Sequence, residues 1–155
     1  MKARYITRFA LLLTSTLFMT CSPETHTENA LNNFPEFYKE GHRGTRGLMP
    51  ENTIPSMTKA IENGANIIEV DIQISKDRKV MIAHDAHINR QISLLPNGEE
   101  ITETDAHKYI LHQMPYDSIR KFDVGSKVHP DFPQQKKIKA HIPLLGELID
   151  SVEQF

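Results

Sequence analysis

Three candidate strands in this chain end in titratable groups, and that pattern restricts the fold more than any other feature. They read Gly41-His42-Arg43-Gly44, Ile68-Glu69-Val70-Asp71 and Ile82-Ala83-His84-Asp85. Strands that end in such groups commonly gather their chemistry at one rim of an α/β barrel. Neutral imidazole serves as general acid or base near pH 7. Carboxylates suit a hard divalent cation, and a guanidinium grips phosphate bidentately. Acid, base, cation ligands and phosphate clamp together imply hydrolysis of a phosphate ester.

With 155 residues the chain has room for one domain with a real core. The first twenty residues are not expected to belong to it. Lys2, Arg4 and Arg8 open the chain, and a largely apolar stretch follows from residue 9 to 18. About ten apolar positions are too few to span a bilayer as a helix and suit the core of a signal peptide. Cys21, the only cysteine, comes directly afterwards. Its placement resembles a bacterial lipoprotein signal, which implies an exported chain held to a membrane through lipid on Cys21, in the periplasm or at the cell surface. An ordinary secretory signal with an incidental cysteine is the alternative. A single cysteine forms no internal disulfide in either case.

Removing residues 1–20 takes three basic residues and no acidic ones from totals of 18 and 20, which leaves a formal charge of −5. No Lys/Arg cluster with interleaved aromatics remains. The electrostatic footprint of a nucleic-acid binder is missing, and no such partner is expected. Residues 21–33 are polar and read as a disordered tether, with a folded domain over 34–155.

Within that domain, residues 38–41 form a weak strand candidate. Asn52 or Thr53 can cap a helix that tolerates Pro55 in its first turn. Ile54, Met57, Ile61 and Ala65 give it a buried stripe, and Asn63-Gly64 stops it. Residues 66–75 read as one strand, with Ile68, Val70, Ile72 and Ile74 on one face and Glu69, Asp71 and Gln73 on the other. A solvated polar face is the common meaning of such alternation. A buried face bearing two carboxylates would instead need a cation or partner to offset several kcal/mol.

The apolar run 80–83 suits a buried strand, and the short link 75–79 suggests a hairpin rather than a parallel crossover. Residues 86–115 read as a long loop with a turn at Pro96-Asn97-Gly98. One or two helical turns are expected over 116–122, and another loop over 129–141. Leu144, Leu145, Leu148, Ile149 and Val152 mark a final helix after Pro143. His26, His87, His107, His112, His129 and His141 are expected at the surface. Asp85 is expected to orient His84 or cap a turn, and Glu147 to serve packing or solubility.

Taken in order, His42-Arg43-Gly44, Pro50-Glu51-Asn52-Thr53, Glu69-Val70-Asp71 and His84-Asp85 resemble the glycerophosphodiester phosphodiesterase family. Arg90, Asp123-Val124-Gly125 and Ile142-Pro143-Leu144-Leu145 add to the agreement, which runs over roughly 38–155. The resemblance implies an α/β fold, a TIM (β/α) barrel of which this chain holds the N-terminal portion. It implies His42 and His84 as the catalytic acid–base pair and Glu69 and Asp71 as ligands of Ca²⁺ or Mg²⁺. Arg43, Glu51 and Asn52 would bind substrate. The reaction so implied is metal-dependent hydrolysis of a glycerophosphodiester to glycerol 3-phosphate and an alcohol. The attacking oxygen is either water or the substrate's own glycerol hydroxyl.

Such a barrel takes about 250 residues. The family's third metal ligand, a glutamate in an Asn-x-Glu-x-Lys strand, lies after the helix that here reaches Phe155. The chain is therefore expected to hold strands one to three, to leave the 144–152 stripe without its partner, and to be poorly active by itself. Two further readings are a barrel enzyme acting on lysophospholipids and a non-catalytic surface lipoprotein that binds a glycerophosphoryl group.

Overall fold

The computed structural model describes residues 37–155. The expected signal peptide, the tether, Cys21 and His26 lie outside the described residues, as do residues 34–36.

Strand β1 (Glu40–His42) leads into a loop and then into helix α1 (Ile54–Glu62). Thr53 is the cap, with extended backbone and a side chain that accepts from Ser56 N, and Pro55 falls in the first turn as expected. Asn63 closes the helix, and Gly64 follows at φ +87°. Strand β2 (Ile67–Glu69) runs parallel to β1, with Gly41 beside Ile68 and His42 beside Glu69. Such pairing needs a crossover, and α1 supplies it.

The long strand expected over 66–75 is broken. β2 stops at Glu69, and a separate strand β3 (Ile72–Ile74) pairs antiparallel with β4 (Val80–Ile82). The physical reason is a change of partner. Residues 67–69 take their hydrogen bonds from β1, whereas 72–74 take theirs from β4, and the chain turns between the two ladders at Val70-Asp71. The expected apolar face is split accordingly. Ile68 and Val70 pack on the core, while Ile72 and Ile74 are 50% and 54% exposed.

The expected hairpin does form. Ser75 N donates to Lys79 O, Lys79 N donates to Ser75 Oγ, and Arg78 takes the left-handed backbone at φ 62°. Among the described residues these two two-stranded sheets do not close into a barrel.

β4 sits between two apolar clusters because its side chains alternate. Met81 and Ala83 point into one with Ile88, Ile101, Leu111, Ile119 and Phe122. Ile82 points into the other with Met57 of α1 and Leu148 of helix α3 (Leu145–Val152). The α3 stripe therefore has partners, contrary to expectation: Leu145, Leu148 and Val152 are packed and Ile149 stays exposed. Ile82 N donates to Pro143 O, and Met81 bridges Leu144, which ties the start of α3 to β4.

Residues 86–115 lack long elements, as expected, but they are stitched down through Ile88 and Tyr109, Leu111 and Ala86, and Leu94 and Asp123. A 3₁₀ turn (Leu111–Gln113) and the short helix α2 (Tyr116–Ile119) follow. Asp123 Oδ1 accepts from Gly125 N and Ser126 N. Burial works against the Asp123 carboxylate, but the Ser126 hydroxyl and these backbone donors outweigh it and hold the group below its ordinary range.

Tyr116 is buried and donates its hydroxyl to Ile142 O at 3.0 Å, with Glu147 Oε2 at 3.5 Å. Burial, helped by the Glu147 charge, pushes its pKa up to about 12. A raised folded-state pKa gives stability that is whole below the ordinary tyrosine value and is lost as pH rises through the folded value. Tyr116→Phe is therefore expected to flatten the fall in urea midpoint between about pH 10 and 12. An unchanged alkaline slope in the variant would assign that limb to other groups.

Candidate functional site

The titratable residues singled out in the sequence stand at strand ends. His42 closes β1, Glu69 closes β2 with Asp71 two residues on, and His84-Asp85 follow β4. Ala83 N donates to Asp71 O at 3.0 Å, which holds the β4 end against the segment after β2.

Arg43 and Asn52 both take left-handed backbone, at φ 52° and 55°. Asn52 N donates to Arg43 O at 3.1 Å, so the loop between β1 and α1 doubles back on itself. Ser56 at the head of α1 cinches it further: its hydroxyl donates to Arg43 O and accepts from Thr45 N, and its carbonyl also accepts from Thr45 N. Gly44 at φ +82° lies against Ser56, with no room there for a Cβ.

This loop gathers a part-buried ionic network. Arg43 Nη1 donates to Glu51 Oε1 at 2.7 Å, and Arg43 N donates to Glu69 Oε2 at 3.0 Å. Arg43 Nε lies 3.1 Å from Asp71 Oδ2 as an ion-pair contact whose N–H is not aimed at that oxygen. Asn52 Nδ2 donates to the same Asp71 oxygen at 2.9 Å. Arg46 Nε donates to Glu51 Oε2. Four of the expected residues, Arg43, Glu51, Asn52 and Asp71, are thus in direct contact, and Glu69 joins them through the Arg43 backbone.

The two histidines stand beside this network and are exposed. His42 Nε2 faces Glu69 Oε2 at 3.9 Å. His84 Nδ1 is 2.9 Å from Asp85 Oδ1, and Asp85 Oδ2 in turn accepts from Asn89 Nδ2 at 2.8 Å. An ionised carboxylate only accepts, so this pairing puts the His84 proton on Nδ1 and leaves Nε2 as the basic nitrogen. Asp85 orients His84, the role expected of it.

Two adjoining clefts open here. One is lined by the apolar side chains of Ile82, Ala83, Ile92, Val124 and Ile142 together with Glu51, Asn52 and His84. The other is polar and is lined by Arg43, Arg46, Glu51, His84, His129 and Asp131, among others. His84 lines both, whereas His42 lines neither.

His129 corrects an expectation. It is buried rather than at the surface, with Nε2 3.5 Å from Glu51 Oε2. Arg46 also went unnoticed in the sequence. A lone histidine beside a proline carries no periodic signal, and an arginine three residues past Arg43 looks like ordinary solvated charge. Glu147, expected in packing or solubility, accepts from Leu144 N at 2.9 Å and caps α3.

Among the described residues no group of three or more His, Cys, Asp and Glu side chains is placed to hold a metal ion. Glu69 and Asp71 offer oxygens of the kind a hard cation takes, and Asn52 Oδ1 is a buried oxygen without a hydrogen-bond partner. That donor chemistry suits a hard divalent cation in part and supplies no soft ligand.

An α/β framework that gathers basic, acidic and imidazole groups at its strand ends is the arrangement in which enzymes of this architecture keep their chemistry. A model of the glycerophosphoryl diester phosphodiesterase family matches residues 42–154, and the chain belongs to that family. It is 28% identical over 152 residues to the glycerophosphodiester phosphodiesterase of Bacillus subtilis, covering 96% of this chain and 47% of that one. A Silicibacter pomeroyi crystal structure assigned to the glycerophosphoryl diester phosphodiesterases is 31% identical, with a TM-score of 0.67 over 72% of this chain and 39% of that one. An Oleispira antarctica phosphodiesterase, solved with the product sn-glycerol-3-phosphate, is 26% identical with a TM-score of 0.54, covering 74% and 39%. These structural neighbours are TIM barrels. The chain spans less than half the length of each of these three relatives.

Proposed function

We propose that this chain carries the N-terminal part of a TIM-barrel active site that hydrolyses glycerophosphodiesters to glycerol 3-phosphate and an alcohol. The observation that carries the reading is the Arg43–Glu51–Asp71 network at the strand ends, with His84 held by Asp85 beside it. Family membership and the product-bound relative support it.

A phosphodiester carries one negative charge and a poor leaving group. Arg43, anchored through Nη1 on Glu51, presents a fixed guanidinium to the phosphate oxygens at no cost of reorganisation. His84, with its proton on Nδ1, offers Nε2 to accept a proton from the attacking oxygen or, once charged, to return one to the departing alkoxide. His42 takes the complementary step. Ca²⁺ or Mg²⁺ would be held by Glu69 and Asp71, and when bound it neutralises charge that builds on the phosphate. We further place the protein outside the cytoplasm, anchored through lipid on Cys21.

The test is release of glycerol 3-phosphate from glycerophosphocholine by the native protein, with Ca²⁺, with Mg²⁺ and with chelator. Release that requires the cation supports the reading. Binding of glycerol 3-phosphate without any turnover would replace it with the binding lipoprotein, and neither turnover nor binding would overturn both. An intact mass including acyl chains on Cys21 checks the anchor.

A further inference from the structure

The Glu51 carboxylate lines the polar cleft, and both of its oxygens face cationic or imidazole groups. Arg43 Nη1 donates to Oε1 and Arg46 Nε to Oε2, and His129 Nε2 lies 3.5 Å from the same Oε2 as an ion-pair contact. His129 Nδ1 accepts from Asp131 N at 3.1 Å. The proton of the neutral ring therefore sits on Nε2, the nitrogen that faces Glu51. Phe132 packs on the His129 ring at 4.8 Å between centroids, and the Arg46 guanidinium lies over the Phe132 ring at 5.3 Å. Gln135 Nε2 donates to Arg46 O at 2.7 Å and Lys136 N to Leu48 O at 2.9 Å. One stretch of irregular chain thus grips the Arg43-to-Glu51 loop at its side chains and at its backbone.

We propose that His129 and Phe132 form a buttress that positions the Arg43 and Arg46 guanidiniums, through Glu51, as a paired anion clamp. The nature of the anion rests on the phosphodiester reading above. The clamp needs such support because Glu51, Asp85 and Asp131 all line the same cleft. A guanidinium released from Glu51 would pair with one of the other carboxylates and be lost to an incoming phosphate. His129 acts on Glu51 and is a positioning residue.

The experiment compares His129→Leu with His129→Gln in the native protein, the glutamine keeping a polar N–H group beside Glu51. The first readout is the exchange rate of the Arg46 Nε–H by NMR, and the second is the affinity for sn-glycerol 3-phosphate by calorimetry. His129→Leu is expected to speed the exchange and to weaken binding about tenfold, the scale of one lost contact to a buried carboxylate. His129→Gln is expected to restore both, with KM rather than kcat carrying the effect in turnover. Equal exchange in wild type and both variants, or failure of glutamine to rescue, would overturn the proposal. If the wild type does not bind glycerol 3-phosphate, the phosphodiester reading fails while the exchange comparison still decides the buttress. Should His129→Leu not fold, Phe132→Leu takes its place, with faster Arg46 Nε–H exchange expected and unchanged exchange counting against the proposal.

Discussion

Gly44→Ala is expected to destabilise the protein by about 3 kcal/mol or more, from two costs that add. The backbone stands at φ +82°, where a Cβ meets the following carbonyl. In addition, the new methyl would lie 2.5 Å from Ser56 Oγ and 2.6 Å from the Ser56 carbonyl carbon. Ser56 is fully buried in the first turn of α1 and holds the Arg43 carbonyl, so it has nowhere to go. Gly64→Ala is the matched control. Its φ of +87° is similar, but nothing lies within 4 Å of the added Cβ. It should cost only the backbone part, about 1 kcal/mol. Urea titration of the two variants separates the terms, and equal losses would show that the contact with Ser56 is not what requires glycine at position 44.

His42→Ala and His84→Ala are each expected to lower glycerophosphodiester hydrolysis in the native protein by about 10² to 10⁴-fold, the usual scale of a lost general acid or base. Neither should lower stability measurably, because the side chains are 58% and 47% exposed and fill no core space. Arg43→Ala should differ by losing both. Its side chain is mostly buried between Glu51 and Asp71, and its removal leaves the 6%-exposed Glu51 short of a partner. Paired measurements of rate and unfolding midpoint distinguish chemistry from architecture. A histidine variant that keeps most of its rate would remove that residue from the acid–base pair.

The contrast between these residues reflects what a linear pattern encodes. The helix over 54–62 was readable because its determinants are local: a capping threonine, a proline where no hydrogen bond is lost, a three–four apolar spacing and an Asn-Gly stop. The hairpin before β4 was readable from loop length, and β4 itself from an apolar run that serves two clusters at once. The break at Val70-Asp71 was not readable. Alternation reports which face a residue can take and says nothing about which neighbouring strand supplies its hydrogen bonds. The final helix is legible from its apolar stripe, but its burial depends on Met57 and Ile82, far away in sequence.

For the site, the sequence by itself determined the chemical types: two imidazoles, the strand-end carboxylates, and an arginine with its Glu-Asn companion, in an order that matches a family. Only the tertiary structure decided how they are wired. It turned Glu51 into a buried junction for Arg43, Arg46 and His129, set Asp85 behind His84, and drew His129 out of a proline-containing loop into contact 78 positions away. The physical reason is that identity and local spacing are covalent properties, whereas a buried charge takes whichever partner the packing brings within reach. Its cost of desolvation makes that partner obligatory without naming it in advance.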